Sequence, residues 1–207
     1  MAVFICPSES LPAFDAYPYT SYAGNYGSVY AADGDSDGPF KTCFFTWPGS
    51  WSRDVMDGLS QTSLFSEWLT GNENDGPELG RSSREEIEVN PAETHDEFAA
   101  RCRSQIGMKR LPGHRRGRYW YNGHWTNNLY DHGVPPNLPF CSKSPKSILP
   151  IPSGLYVACS AGSMHPGGAN VVFADAHVRM VRDSIQPADW RALGSIAGGE
   201  AISAEAY

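Results

Sequence analysis

The sequence predicts an α+β domain with an antiparallel β-sheet, long loops and short helices. Its 207 residues fit a single domain. Turn formers are abundant, with 21 glycines and 16 prolines, and these residues interrupt long helices. Aromatic side chains make up 12% of the chain and supply large buried surfaces to a core that is lean in aliphatic residues. This composition excludes a helical bundle and a coiled coil.

Short strands are predicted in the first third of the chain, either from strand-forming composition or from alternation of side chains between two faces. They cover residues 1–7, 19–30, 41–47 and 62–69. The segment that follows is acidic, rich in glycine and poor in apolar residues, which predicts a loop. We therefore expect one domain over residues 1–207 with a variable insertion at about 71–109.

Two short helices are predicted from their start signals and periodicity. The first follows Asn90-Pro91, and it carries apolar side chains at four-residue spacing: Phe98, Cys102 and Ile106. The second opens at Pro187, runs through Leu193 and is closed by Gly194.

Two β-hairpins are predicted from turn residues between apolar arms. In the first, Asn122-Gly123 lies between the aromatic arms of residues 119–125. In the second, Asp175-Ala176 joins residues 169–174 to residues 177–182. The second hairpin is the main evidence for an antiparallel sheet.

The charge and hydropathy of the chain exclude some partners. The formal net charge of −7 disfavours a general nucleic-acid binder, whose phosphate contacts require a basic surface. No stretch approaches the roughly 18 consecutive apolar residues that span a bilayer, and the first residues do not form a signal peptide. As written, the chain is expected to be soluble.

The five cysteines include no Cys-x-x-Cys pair, which disfavours a zinc knuckle. An odd number allows two disulfides and one thiol. We predict the pairs Cys6 with Cys43 and Cys141 with Cys159. Cys102 is then expected to pack as a small apolar side chain on the first helix.

An acidic loop at residues 33–38 matches two motifs in part. Carboxylates at alternate positions resemble the first half of a calcium loop: Asp33, Asp35 and Asp37. The loop is not an EF-hand, because Phe44 occupies the position of the bidentate glutamate. Calcium is the sole candidate cofactor of the chain. The alternative is that the loop is an exposed acidic turn. The same loop matches Gly-x-Ser-x-Gly around Ser36, but no helix follows to form a nucleophile elbow.

A basic and aromatic segment at residues 109–125 forms a candidate ligand surface. Such a surface binds sugars or polyanions by stacking and by ion pairing, and its candidate residues are Arg115, Arg116, Arg118, Tyr119 and Trp125. The alternative is structural: Trp120 packs in the core, and the arginines neutralise the acidic loops nearby.

A candidate metal or acid–base set consists of His165, Asp175 and His177. Asp175 lies in the turn of the second hairpin, whereas His165 precedes its first strand, so about 16 Å separates them along the strand. The alternative, which we favour, is that His165 and Asp175 bind backbone groups at opposite ends of the hairpin.

The C-terminal segment carries a recognisable motif. Nine residues separate His165 from Asp175, and Gly167, Gly168 and Asn170 lie between them. Together with blocks at residues 4–8, 21–25, 57–62, 120–137 and 197–200, this motif resembles the prepilin-like exported bacterial proteins of unknown function with a His-x9-Asp-Gly pattern, the DUF1559 family. Ala176 replaces the glycine of that pattern, so we expect a strained or different turn.

The resemblance implies a pilin-like or pseudopilin-like head domain with a structural, non-enzymatic role. Family members carry an upstream prepilin leader and apolar helix, through which such a protein would contact the membrane and other pilin-like subunits. It also implies an extracytoplasmic location if that leader exists. The alternative hypothesis, from another class, is an extracytoplasmic carbohydrate- or polyanion-binding module that uses residues 109–125.

Overall fold

The computed structural model describes most of the chain, namely residues 4–9, 18–28, 30–31, 36–40, 52–70, 84–86, 94–104, 110–111, 116–121, 123, 127–138, 140–142, 156–203 and 205–207. Within these residues it contains ten β-strands in two sheets, two α-helices and a 3-10 turn at Ser52–Asp54. The α+β class predicted from the sequence is therefore confirmed.

The first sheet has the strand order β10-β9-β3-β1-β6. Its strands are β1 (Tyr22–Asn25), β3 (Ser63–Glu67), β6 (Leu129–Tyr130), β9 (Gly168–Phe173) and β10 (Val178–Arg182). Neighbours are antiparallel except β1 and β6, which are parallel, so the sheet is mixed rather than wholly antiparallel as predicted. The register of β3 against β9 shifts between Ser63 and Phe65, which marks a β-bulge or an irregularity near the start of β3.

The second sheet has the strand order β2-β8-β7-β4-β5 and consists of short strands. Its members are β2 (Tyr30–Ala31), β4 (Arg84–Glu86), β5 (Arg110–Leu111), β7 (Phe140–Ser142) and β8 (Tyr156–Ala158). The pairing of β4 with β7 is parallel and the other pairings are antiparallel.

The main apolar core lies against the first sheet. Alternate residues of β9 point into it, and α2 (Pro187–Ala192) covers it with Trp190. The cluster consists of Ala23, Trp68, Tyr130, Ala161, Ala169, Val171, Phe173, Val181, Ile185, Trp190 and Leu193. Aromatic rings dominate its volume, as the composition predicts.

A smaller core joins α1 (His95–Ser104) to the second sheet. Phe98 and Cys102 are buried four residues apart on one face of α1, which confirms the predicted spacing for these two side chains. Ile106, the third residue of the predicted face, lies outside the described residues. Cys102 forms a disulfide with Cys141 of β7, across a Cα–Cα distance of 6.0 Å. Side chains of α1 and β7 therefore meet directly.

Both predicted disulfide pairings are wrong. Cys141 lies opposite Ala158 in the β7–β8 register, one residue short of Cys159, and its sulfur is bonded to Cys102 instead. Cys6 is a buried thiol and does not form the predicted bridge to Cys43, which lies outside the described residues. Sequence spacing carried no information on the docking of α1, which determines the pairing.

The predicted C-terminal hairpin is confirmed as β9 and β10. Phe173 N–H donates to the His177 carbonyl at 2.9 Å, and Ala176 N–H donates to the Phe173 carbonyl at 2.8 Å. Ala176 has a φ of 70°, as expected for the last residue of a three-residue hairpin loop that favours glycine. The alanine is therefore strained at this position, by about 1 kcal/mol.

Two predicted strands are wrong within the described residues. Residues 4–6 do not form a strand, although the Phe4 carbonyl accepts a hydrogen bond from Ser21 N–H at 2.7 Å. Residues 119–121 form a bend and a turn rather than a hairpin arm, because Tyr119 has a φ of 63°. The predicted strand at residues 41–47 lies outside the described residues.

Candidate functional site

Three side chains with metal-ligating atoms converge beside the end of β3. Cys6 lies in the N-terminal segment, Glu67 ends β3, and His165 lies in the turn that leads into β9. Their ligand atoms all lie within 4.8 Å of one another. We call Cys6, Glu67 and His165 the outer cluster.

The distances inside the outer cluster are short. His165 Nε2 lies 3.3 Å from Glu67 Oε1 and 3.8 Å from Cys6 Sγ, and Cys6 Sγ lies 3.7 Å from Glu67 Oε1. The hydroxyl of Ser8 lies beside them, 3.0 Å from Cys6 Sγ and 3.3 Å from His165 Nε2. Cys6 and Glu67 are buried, whereas the His165 side chain is 35% exposed. The cluster therefore opens to solvent on the side of His165.

Neighbouring groups hold the Glu67 carboxylate in place. Asn170 donates its backbone N–H to Glu67 Oε2 at 2.9 Å and its side-chain amide to Glu67 Oε1 at 3.1 Å. Asn170 belongs to β9, the strand that pairs with β3. The pairing of these two strands therefore orients the carboxylate.

The family motif divides between the two ends of the hairpin. Gly167 has a φ of 83°, and a Cβ on Gly168 would lie 2.3 Å from the Val181 carbonyl oxygen, so both positions require glycine. These glycines and Asn170 support the turn that holds His165. Asp175 lies in the hairpin loop and accepts hydrogen bonds from the backbone and ring of His177. His165 and Asp175 therefore lie at opposite ends of the hairpin, as predicted, and Asp175 binds a backbone group there. The predicted backbone contact of His165 is wrong, because its ring contacts the side chains of Glu67, Cys6 and Ser8 instead.

A second polar group, which we call the inner cluster, lies at the start of β3: Asn25, Ser63, Tyr130 and His132. Ser63 Oγ accepts hydrogen bonds from Tyr130 Oη at 3.1 Å and from Asn25 Nδ2 at 3.0 Å. His132 Nε2 lies 3.0 Å from Ser63 Oγ, and His132 Nδ1 lies 3.2 Å from the Gly27 carbonyl. Since a carbonyl only accepts, Nδ1 carries the proton and Nε2 accepts from Ser63.

The inner cluster is sealed from solvent. His132 is fully buried, and its ring packs against Trp190 at a centroid distance of 4.0 Å. Burial lowers the pKa of His132 to about 3, against the opposing effect of the Gly27 carbonyl. The Ser63–His132 contact resembles a nucleophile and its base, but both side chains are buried and their hydrogen bonds are saturated.

Burial also changes the pKa of the neighbouring Asp131, which rises to about 7. The backbone N–H groups of Cys159 and Gly133 donate to its carboxylate at 2.7 Å and 2.8 Å and oppose this rise, as does Arg116. The carboxylate therefore joins two loops of the interior rather than lining a surface.

The acidic loop has a structural role at its described residues. Asp37 accepts hydrogen bonds from the backbone N–H of Ser28, at 2.8 Å, and from the Ser28 hydroxyl. The Ser36 hydroxyl is buried and donates to the carbonyls of Tyr26 and Phe40. The other carboxylates of the predicted calcium site, Asp33 and Asp35, lie outside the described residues.

The predicted ligand surface is wrong for two of its arginines. Arg116 and Arg118 are buried rather than exposed. Arg116 lies over the Trp68 ring, 4.7 Å from its centroid, and donates to the Ser160 carbonyl at 2.6 Å. The Arg118 guanidinium lies 5.3 Å from the centroid of the Tyr119 ring, so both arginines pack on aromatic side chains.

The rest of that surface is only partly described. Arg115 and Trp125 lie outside the described residues, and Tyr119 is half-buried. Trp120, which we expected in the core, is 40% exposed and stacks on Phe4.

Sequence analysis named Cys6 and His165 for other reasons and missed Glu67. The signal that could have indicated Glu67 is its position near the end of a strand predicted to be half-buried. A buried carboxylate requires partners. Glu67 could not be paired with the other two residues, since Cys6 and Glu67 are 61 positions apart and His165 is 98 positions beyond Glu67.

Among the described residues, no helix combines the length and apolar character that crossing a bilayer requires. Comparison with curated proteins and with solved structures gave no match. A family model described as a protein of unknown function (DUF1559) matches residues 1–188, which is most of the chain. The protein therefore belongs to the DUF1559 family.

Proposed function

We propose that this chain is the head domain of an exported structural or surface protein of the type IV pilin or type II pseudopilin kind. It has no enzymatic role in this proposal. The support comes from the prepilin-like motif blocks, the antiparallel pairing of β9, β3 and β1, and the position of the family motif in the edge hairpin.

The observation that carries export is the Cys102–Cys141 disulfide, which joins α1 to the second sheet. Structural disulfides form in oxidising compartments and are rare in the cytosol. The bond therefore favours an extracytoplasmic location, such as the cell envelope or the cell surface.

The state of the inner cluster supports the non-enzymatic part of the proposal. A nucleophilic serine must reach a substrate, whereas Ser63 and His132 are both buried. Each polar atom of the Ser63 and His132 side chains already has a protein partner. The cluster thus serves to position β1, β3 and β6.

Localisation and redox state test the proposal together. The untagged protein is followed by cell fractionation in its own bacterium, and its thiols are labelled with a maleimide before and after reduction. Both labellings use denatured protein, because Cys6 and Cys159 are buried. We expect the envelope or surface fraction and two additional labelled cysteines after reduction, because Cys102 and Cys141 are bonded. A cytoplasmic protein whose cysteines all react without reduction would refute export.

Cross-linking in cells tests the proposed partners, which are other pilin-like subunits. A photo-reactive residue replaces Val178, which is 61% exposed on the edge strand β10, or Arg53 as a control away from the first sheet. We expect adducts with pilin-like subunits from position 178. The absence of such adducts from position 178, or equal adducts from both positions, would refute assembly through this hairpin.

A further inference from the structure

We propose that the outer cluster is a zinc site in which Cys6 Sγ, Glu67 Oε1 and His165 Nε2 are the protein ligands. This inference is independent of the role in assembly. It assigns a metal to residues for which the family description gives no function.

The geometry matches tetrahedral zinc. Bonds of about 2.0–2.3 Å at tetrahedral angles separate the ligand atoms by about 3.3–3.8 Å. The three separations in the outer cluster are 3.3 Å, 3.7 Å and 3.8 Å. The three atoms therefore bind one ion without rearrangement of the backbone.

The chemistry of the donors favours zinc over calcium or magnesium. A thiolate and an imidazole are ligands of zinc, whereas calcium and magnesium prefer oxygen. A thiolate and a carboxylate together supply two negative charges, which balance the charge of the ion in a buried position. On binding, the Cys6 thiol releases its proton to solvent, and the sulfur–metal bond forms.

The surroundings have the features of a metal site. Asn170 donates two hydrogen bonds to the Glu67 carboxylate and fixes its orientation, as outer partners of metal ligands do. The partly exposed ring of His165 gives the ion a path from solvent. Three protein ligands leave a fourth position for water, next to the Ser8 hydroxyl.

Zinc binding to the purified, metal-free protein tests this proposal. The affinity tag is removed, and Zn²⁺ is titrated in competition with a chromophoric chelator. We expect one equivalent of zinc per chain in the wild type. Loss of a hydrogen-bond partner of a metal ligand weakens binding by about 10- to 100-fold. We expect a larger loss of zinc affinity in His165→Ala and Cys6→Ser, because each variant removes a ligand itself.

Matched variants control for unspecific effects. His177→Ala removes a partly exposed histidine from the other end of the hairpin, and Cys159→Ser removes another buried thiol. Both are expected to keep the wild-type affinity. Circular dichroism shows which variants fold. His165→Ala is expected to fold because that side chain is partly exposed, so the test does not depend on Cys6→Ser alone.

The positioning role of Asn170 has its own readout. Asn170→Ala is expected to weaken zinc binding by about 10- to 100-fold, and Co²⁺ loaded into this variant should keep its thiolate charge-transfer band. The band should be absent from Cys6→Ser.

Three results would overturn the site: no stoichiometric zinc in the wild type, wild-type affinity in either His165→Ala or Cys6→Ser, or loss of zinc from His177→Ala. An unchanged affinity in Asn170→Ala would refute its positioning role.

Discussion

The inner and outer clusters lie at opposite ends of the same strand, β3, and differ in how their polar groups are satisfied. At the start of the strand, Ser63 and His132 are buried and have protein partners for each side-chain polar atom. At its end, Glu67 faces a thiol and an imidazole that converge on one point and reach solvent through His165. The first arrangement fixes the fold, and the second is suited to an ion.

This difference shows why a catalytic-looking contact and a functional site need not coincide. The serine and histidine of the inner cluster are close enough for proton transfer, but the core encloses them. The residues of the outer cluster come from three distant segments, and their soft and anionic atoms lie at metal-ligand spacing. Exposure and the spacing of the ligand atoms distinguish the two clusters better than residue type does.

The largest contrast is expected between two histidine-to-alanine variants in the metal-free protein. His132→Ala removes a buried ring packed on Trp190 and leaves the Ser63 hydroxyl without its acceptor, so it should destabilise the fold by about 4 kcal/mol. His165→Ala should cost less than about 1 kcal/mol, because surface substitutions have small effects. Urea unfolding measures both, and equal losses would contradict the contrast.

A pH dependence should identify the buried histidine. Because burial lowers the pKa of His132 from 6.5 to about 3, the unfolded chain binds a proton in this window that the folded chain does not. The His132 contribution to stability is therefore full above pH 6.5 and falls as the pH decreases through the window. Asp131 acts in the opposite direction, because its pKa rises from 3.8 to about 7 and the folded state binds the extra proton.

The comparison of wild type with His132→Phe separates these two effects. Asp131 and the other shared groups cancel in the difference between the two unfolding free energies. We expect the unfolding free energy of the wild type minus that of His132→Phe to rise by about 1.4 kcal/mol per pH unit between about pH 4 and pH 6. This difference should level off above pH 6.5. Urea unfolding at each pH measures it. A difference that does not change with pH would contradict a neutral, buried His132.

An intermediate effect is expected at Glu67, which has both roles. Glu67→Gln keeps one oxygen but turns an amide donor toward the donors of Asn170 or Cys6, so the metal-free protein should lose about 1–2 kcal/mol. Zinc binding should weaken as well, because a charged ligand is lost. Glu205→Gln, at an exposed position, is the control and should change neither stability nor zinc affinity.

The smallest effect is expected at the hairpin loop. Ala176→Gly removes the strain of a φ of 70° and should stabilise the fold by about 1 kcal/mol in thermal or urea unfolding. Zinc affinity should not change, because the loop lies at the far end of the hairpin from His165. A change in affinity would indicate that the two ends of the motif are coupled.

Local signals predicted the parts of the fold that depend on neighbouring residues. Pro187 and Gly194 predicted the two ends of α2 to within about two residues. The spacing of Phe98 and Cys102 predicted the buried face of α1. The β9–β10 hairpin was also predicted correctly, including the strain at Ala176.

The remaining features depend on contacts between distant segments. The disulfide follows from the docking of α1 on β7, and the burial of Arg116 follows from its contact with Trp68. The outer cluster requires the register of β3 against β9 and the position of the N-terminal segment. No local pattern encodes these distances, so the candidate site became visible only in three dimensions.

X-ray absorption at the zinc edge of the loaded wild-type protein tests the outer cluster most directly. We predict one sulfur neighbour at about 2.3 Å, with nitrogen and oxygen neighbours at about 2.0–2.2 Å. The sulfur contribution should vanish in Cys6→Ser and persist in Cys159→Ser. A coordination shell of nitrogen and oxygen alone in the wild type would contradict the assignment of Cys6, Glu67 and His165 as one metal site.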